Sequence, residues 1–409
     1  MNHLSRLHTV TRFLILFLFI GGLFLAYHKT LWNDETYSQL SSVENTSVSD
    51  VISGQVKEGN NSPLFYLLQK GVSAFFGYRT PSLWHEGTQF WTTNWPGDKI
   101  ILRIVPVSAM TLSIAAIFYY FARFYSFWVG ALSLFLSLST TVFWQFWAEA
   151  RHYPLWFFLT TMELLLFLYL STRKTTGLHL CRVKKSAAGI WNGLIIVHLL
   201  LSLTVIFSLA QIVIVSALLY FFVERRWQKY VLLTVFPVAF CLIYYALAPK
   251  YDFWLMFSYE QYIRAGISRD RLYIICLFTV FLALYGIQIK AKARQFLRHD
   301  VLERGIPFLW LTGGMIAATC LIIFAFQCMA CPSSRGFPVT TRYFINLAPV
   351  GIIATTLFAV LVIKSCGRMF WTRIILASGM GYLFIHRVFK ILPDIQGHFP
   401  LLFSSATGG

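Results

Sequence analysis

Long apolar runs, separated by short polar links, set the rhythm of this chain. Thr11–Tyr27 is the first, and Ile100–Phe121 and Trp128–Trp147 are the next two. A fourth ends near Leu170. Ala187–Phe222 is too long for one helix and reads as two, with a break near Ser208–Gln211. Further runs cover Val231–Ala248, Leu272–Ile289, Ile306–Phe326 and Tyr343–Ile363, and a last apolar stretch ends near Phe389. A helix needs about 20 apolar residues to cross a bilayer, so the pattern predicts an all-α polytopic membrane protein of about eleven transmembrane helices. Residues 1–409 read as a single membrane domain with no separate soluble part.

The longest polar region, His28 to Lys99, lies between the first two runs. Within it, Glu35–Val56 and Pro63–Phe76 carry apolar residues at mixed helical spacing and predict helices lying in the membrane interface. Pro81–Gly97 holds Trp84, His85, Trp91 and Trp95, an aromatic group suited to headgroup depth. The first run follows a basic start, Arg6 and Arg12, and ends in Ala26-Tyr27-His28-Lys29 without a small-residue cleavage site. It reads as a retained signal anchor.

Composition supports this picture: 57% of residues are hydrophobic and only 12% charged, against about 25% charged in soluble domains. The formal net charge of +18 could signal nucleic acid, but the basic residues are scattered in short loops between apolar runs. Those loops (Arg173 to Lys185, Glu224 to Arg226, Lys290 to Arg304, Lys364 to Arg373) follow the fourth, sixth, eighth and tenth runs. With the N-terminus in the cytoplasm, the positive-inside rule puts all four inside and puts Asp34, Glu35, Asp98, Glu149, Asp252 and Asp270 outside. The seven cysteines are dispersed. Cys328 and Cys331 form the one close pair, and without a second pair they read as a disulfide or an incidental neighbour rather than a metal site.

Four polar clusters then share the outer face: Asp34-Glu35, Asn60-Asn61-Ser62-Pro63-Leu64-Phe65-Tyr66, Glu149-Ala-Arg151-His152-Tyr153, and Thr341-Arg342-Tyr343. Charges at the rim of apolar helices are costly unless paired or lining a wet cavity, so their grouping suggests a site. A carboxylate there can deprotonate a hydroxyl acceptor. Arginines can hold a leaving phosphate, because the guanidinium fork matches its oxygens and keeps its charge. Asp34 and Glu35 are the catalytic candidates. Arg151 and Arg342, with Lys250 and Arg264 behind them, are the phosphate candidates. Asn61, Tyr66, Glu149, His152, Tyr153 and Tyr343 are the substrate-binding candidates. Glu163, inside the fourth run, has no assigned role.

The order of these features resembles the C-fold (GT-C) glycosyltransferases, in the group around protein O-mannosyltransferases, the lipid A aminoarabinose transferase and Rgt-type sugar transferases. Asp34-Glu35 matches their acidic pair after the first span. Asn61-Ser62-Pro63-Leu64-Phe65-Tyr66 stands where they carry His-Pro-Pro-Leu-x-Tyr, with the His and first Pro replaced. Arg103-Ile-Val-Pro106, Glu149-Ala-Arg151-His-Tyr153, and Arg342-Tyr343 through Pro349 match three later motifs. The resemblance implies an inverting transferase that moves a sugar from a polyprenyl-phosphate donor to a lipid or glycan hydroxyl on the extracytoplasmic face. Asp34 would be the general base, with Glu35 positioning base or acceptor. It implies no required cofactor, with Asp34 and Glu149 the pair that would hold a divalent ion as some relatives do. A bacterial inner membrane, or alternatively the endoplasmic reticulum, would be the location. Three rivals stay open: a flippase or transporter of lipid-linked glycans, which predicts paired halves not visible here; a polysaccharide polymerase or ligase, which usually carries its long loop late in the chain; and a structural membrane subunit with no chemistry, which leaves the grouping of Asp34, Arg151 and Arg342 unexplained.

Overall fold

The computed structural model describes residues 3–56, 62–79, 96–173, 183–248, 300–329 and 341–365, with short pieces at 255–256 and 337–338 and within 378–396. Asn61, Lys250, Arg264, the Trp84–Trp95 group, the Leu272–Ile289 run and Cys331 lie outside the described residues. What is described is an all-α membrane protein. Four helices are long and apolar enough to cross a bilayer, within Leu4–His28, Gly97–Phe124, Tyr153–Ser171 and Trp227–Leu247, and five shorter apolar helices accompany them. Leu255–Met256 and Phe337–Pro338 make a two-residue parallel pairing.

In chain order, α1 is His3–His28 and α2 is Asn33–Ser38, which runs on as a π turn through Glu44. Helices α3 (Val48–Ser53) and α4 (Pro63–Phe75) follow, then α5 (Pro96–Phe124), α6 (Phe127–Leu138), α7 (Thr141–Phe146) and α8 (Tyr153–Arg173). After them come α9 (Val183–Ser202), α10 (Ser208–Phe222), α11 (Trp227–Tyr230), a π turn at Val231–Val235, and α12 (Phe236–Leu247). The last long helices are α13 (Asp300–Met329) and α14 (Leu347–Ser365), the latter entered through a 3-10 turn at Thr341–Phe344.

Helix α5 is central, packed by α1, α4, α6 and α8. A second group, α9, α10, α12 and α13, joins through α8, and α14 packs on α6, α8 and α13. The hairpin between α5 and α6 closes tightly because Gly130 faces Ala122, where an added Cβ would lie 2.6 Å from the Ala122 Cβ. Small residues let apolar helices approach where no hydrophobic drive separates protein from lipid. On α1, Leu18, Leu25 and Ala26 are buried, whereas Phe13, Phe17, Ile20 and Phe24 are exposed. A helix apolar on both faces can present one to protein and the other to lipid.

Three boundaries differ from the sequence expectation. The run Trp128–Trp147 is two helices, not one. Ser139 and Thr140 turn their hydroxyls onto the Leu136 and Ser137 carbonyls (3.0 and 2.7 Å), and the Trp144 indole caps the Leu138 carbonyl at 2.8 Å. Consecutive hydroxyls competing for backbone carbonyls end a helix. The α9–α10 break falls at 203–207, just before the expected Ser208. There the free Leu203 carbonyl accepts the free Leu64 N–H of α4 at 3.0 Å, so two helix ends satisfy each other. The expected span from Val231 starts at Trp227 and passes through the π turn.

Among the described residues after α1, the expected Glu35–Val56 stretch is helical in two pieces, α2 with its π turn and α3, and the expected Pro63–Phe76 helix is α4. Pro63 sits at the start of α4, where its missing N–H costs nothing. Gly54 ends α3 at φ +80, a left-handed position that favours glycine. The Lys70 ammonium on α4 donates to the Val43 and Thr46 carbonyls, and the Tyr244 hydroxyl of α12 donates to the Val51 carbonyl at 2.8 Å. These bonds bind the small helices to one end of the bundle.

Candidate functional site

At that end, the C-terminus of α1 and the starts of α5, α8 and α14 converge on α2. The organising contact is a buried ion pair between Arg103 of α5 and Glu35 of α2, both fully buried. Arg103 Nε and Nη2 donate to the Glu35 carboxylate at 2.9 and 2.7 Å. Its remaining N–H groups go to the carbonyls of Ala26, Lys29 and Thr30 at 2.9, 2.7 and 2.7 Å. The guanidinium therefore caps the end of α1 and grips α2 at once, with every donor used. Glu35 also accepts from the Trp32 N–H at 2.8 Å and from the Ala150 N–H at 2.5 Å. Burial works against its charge, but Arg103, Lys29 and the Ala150 N–H outweigh that and hold the carboxyl below its ordinary range. Glu35 was expected among the catalytic residues. Both its oxygens are engaged and its side chain is fully buried, an arrangement that leaves it the positioning role the resemblance implies.

Asp34, its neighbour in sequence, is placed oppositely. Successive helical residues diverge around the axis, so anchoring Glu35 inward turns Asp34 toward the open side. Its side chain is 43% exposed and its Oδ2 lies 2.8 Å from Nη1 of Arg342, which is 21% exposed. The Arg151 guanidinium donates to the Asp34 backbone carbonyl at 3.0 Å and to the Ser38 hydroxyl. Arg342 stands over the Tyr343 ring at 5.5 Å, and its buried Nε has no hydrogen-bond partner. Residues 34, 151 and 342, from three separate parts of the chain, thus meet as the sequence expected.

Behind this front lies a dry second layer. Glu149 is buried, and burial pushes its carboxyl up to about 7, with Lys29 opposing and Glu35 adding to the rise. Burial lowers the Lys29 ammonium, which donates to the Gln145 carbonyl at 2.8 Å, while Glu149 and Glu35 raise it. His152 is buried, and desolvation, then Arg151 and Arg342, hold its imidazole well below the ordinary value and so neutral. Its ring packs 4.2 Å from Tyr153, whose buried hydroxyl has no partner. Tyr343 is buried with its ring edge-on to Phe207 at 6.0 Å. Tyr66 is buried in the main apolar core. Among the described residues no three His, Cys, Asp or Glu side chains gather as metal donors.

Two residues of the site, Arg103 and Lys29, were not among the candidates. The signal for Arg103 was present: an arginine within an apolar run must find an anion, and Glu35 is an acid just beyond the preceding run. Lys29 carried no such signal, because a lysine at the end of a span is usually solvated.

The arrangement offers one accessible carboxylate against a partly exposed guanidinium, with a second arginine fixing the backbone and buried polar groups behind. It can accept a proton at Asp34 and hold an anion at Arg342. Compared with known proteins, the chain matches no family model, no curated protein and no solved structure.

Proposed function

We propose that the protein is a membrane glycosyltransferase that moves a sugar from a polyprenyl-phosphate donor to a hydroxyl of a lipid or glycan acceptor. The reading includes a GT-C fold of about eleven spans with the site on the extracytoplasmic side. Asp34 takes the acceptor proton, Arg342 neutralises the phosphate that leaves, and Arg151 keeps Asp34 in place. The observation that carries the reading is the 2.8 Å contact between exposed Asp34 and Arg342 at the rim of an apolar bundle. In an inverting transfer the acceptor attacks and the phosphate departs on opposite faces of one anomeric carbon, so the sugar would enter between base and cation and part the Asp34–Arg342 contact. Glu149, its carboxyl pushed up to about 7, and neutral His152 suit hydrogen bonding to sugar hydroxyls, and Tyr153 and Tyr343 suit packing against the ring or prenyl chain. The donor, the acceptor and any divalent ion are parts of this proposal.

The test is transfer from a radiolabelled polyprenyl-phosphate sugar into membrane acceptors, comparing native protein with Asp34→Asn. Transfer is expected to fall by roughly a hundredfold or more. Undiminished transfer by a folded D34N protein removes Asp34 as the base. A flippase for the same lipid would draw on the same arginines, and the buried Glu163–His198 pair inside the bundle favours it. That reading predicts movement of the labelled lipid between leaflets without transfer, and with no dependence on Asp34.

A further inference from the structure

Inside the bundle, away from Asp34, a chain of polar side chains joins α8, α9, α10 and α13 to the start of α14. All its members are buried. His198 Nδ1 is 2.8 Å from the Leu233 carbonyl, and His198 Nε2 is 2.9 Å from Glu163 Oε1. Gln211 Nε2 donates to Glu163 Oε2 at 2.9 Å and to the Thr160 hydroxyl at 3.1 Å. Gln211 Oε1 accepts from the Trp156 indole at 3.0 Å and from Asn346 Nδ2 at 3.3 Å. Asn346 Nδ2 also donates to the Thr319 hydroxyl at 3.0 Å.

The two ends of this chain fix its polarity. An indole N–H can only donate, so Gln211 must turn its oxygen to Trp156 and its amide N–H groups to Glu163. A carbonyl can only accept, so His198 must carry its hydrogen on Nδ1. Glu163 Oε2 is then an acceptor, while Glu163 Oε1 and His198 Nε2 approach to 2.9 Å without the alignment of a hydrogen bond.

Asn346 follows Arg342 by four residues, and the Ile345 N–H bonds the Arg342 carbonyl at 3.4 Å. A parallel aromatic path reinforces the link: Tyr343 meets Phe207 at 6.0 Å, and Phe207 stacks on Trp156 at 6.5 Å. We propose that the Glu163–His198 pair, wired through Gln211 to Asn346, is a positioning device for the turn that presents Arg342. The proposal rests on the transferase reading only for what Arg342 binds.

Hydrogen–deuterium exchange of the full-length protein in lipid nanodiscs, without any sugar donor, tests it. Cutting the chain with Glu163→Leu or Gln211→Leu leaves buried partners unsatisfied and is expected to speed exchange of the 341–346 amides at least about tenfold. Amides 31–38, held by Arg103, should be unchanged. Glu163→Gln should behave like native protein, because its amide oxygen still accepts from Gln211. If a leucine variant does not fold, Thr319→Val removes one acceptor of Asn346 and should give a smaller rise in the same segment. Unchanged exchange at 341–346, equal acceleration through every helix, or a Glu163→Gln variant as fast as Glu163→Leu would each overturn the proposal. Because no donor is present, these outcomes are separate from failure of transfer.

Discussion

Asp34 is expected to do two opposed things, and Asp34→Asn separates them. In the ligand-free protein its carboxylate occupies Arg342 at 2.8 Å. An incoming phosphate must compete with it. Two unit charges about 4 Å apart attract by about 4 kcal/mol at an effective dielectric of 20. Asp34 is 43% exposed and Arg342 21%, so water screens the pair, and a value of about 1–2 kcal/mol is the reasonable discount between that figure and an exposed pair. Removing the competing charge should therefore tighten phosphate binding roughly 5- to 30-fold. The same substitution removes the base and should slow transfer by roughly 10²- to 10⁴-fold.

The assay is direct binding of a short polyprenyl phosphate, such as farnesyl phosphate, to purified protein in detergent, alongside transfer measured in membranes. Arg342→Ala is the control, expected to weaken binding about tenfold to a hundredfold by losing a charge-assisted contact. A D34N protein that binds the phosphate no more tightly than native protein would refute the competition. If R342A binds as well as native protein, the phosphate is held elsewhere and the site assignment itself fails.

Glu35→Gln should strand the buried Arg103 charge and lower stability by about 3–5 kcal/mol, read as loss of thermal midpoint in detergent; the double replacement Glu35→Leu with Arg103→Leu should recover part of it, and no recovery would show that the pair is not the unit. Glu149 binds its proton more tightly folded than unfolded, from an ordinary 4.5 to about 7, a difference worth about 3 kcal/mol that is present below pH 4.5 and lost as pH rises to 7. Glu149→Gln should abolish this fall. His152, held neutral, acts in the other direction, its contribution being present above pH 6.5 and lost as pH drops. A Glu149→Gln protein should therefore gain stability with rising pH toward 6.5, a His152→Gln protein should lose it between 4.5 and 7, and parallel melting curves for the two would contradict both assignments. Gly130→Val should overpack the contact with Ala122 and cost about 1–3 kcal/mol, with an unchanged melting temperature counting against the close approach.

The apolar runs and the acidic pair were legible in the sequence because each is a local signal. A span announces itself by length, and two carboxylates after one announce a rim. The meeting of Asp34, Arg151 and Arg342 was legible for a related reason: charges at one end of alternating spans share a leaflet whatever the packing. The break after Leu138 was not, since Ser and Thr occur freely in apolar helices, and only the closed bonds to Leu136 and Ser137 end this one. Glu163 stood out inside the fourth run without a role, and its partner His198 lies on the next helix at a depth that periodicity does not specify. Packing sets that depth, and packing is not a local property.

Which of two adjacent carboxylates is free was the least legible question, and it matters most for the chemistry. Either could serve as a base by composition. The choice is made by Arg103, whose donors cannot be satisfied by one helix alone: it takes three carbonyls from the end of α1 and both oxygens of Glu35. Once Glu35 is spent on that contact, helical geometry turns Asp34 outward. The Arg151 bond to the Asp34 carbonyl then fixes the backbone from the other side. A base must be held within a fraction of an ångström of its target, on elements that do not move. Here a short helix of six residues, marginal on its own, acquires that rigidity from two buried arginines. On the proposed transferase reading, the acid that cannot react is thus the one that aims the acid that can. An exchange of the two, Asp34→Glu with Glu35→Asp, would keep the charge and the composition while losing the aim.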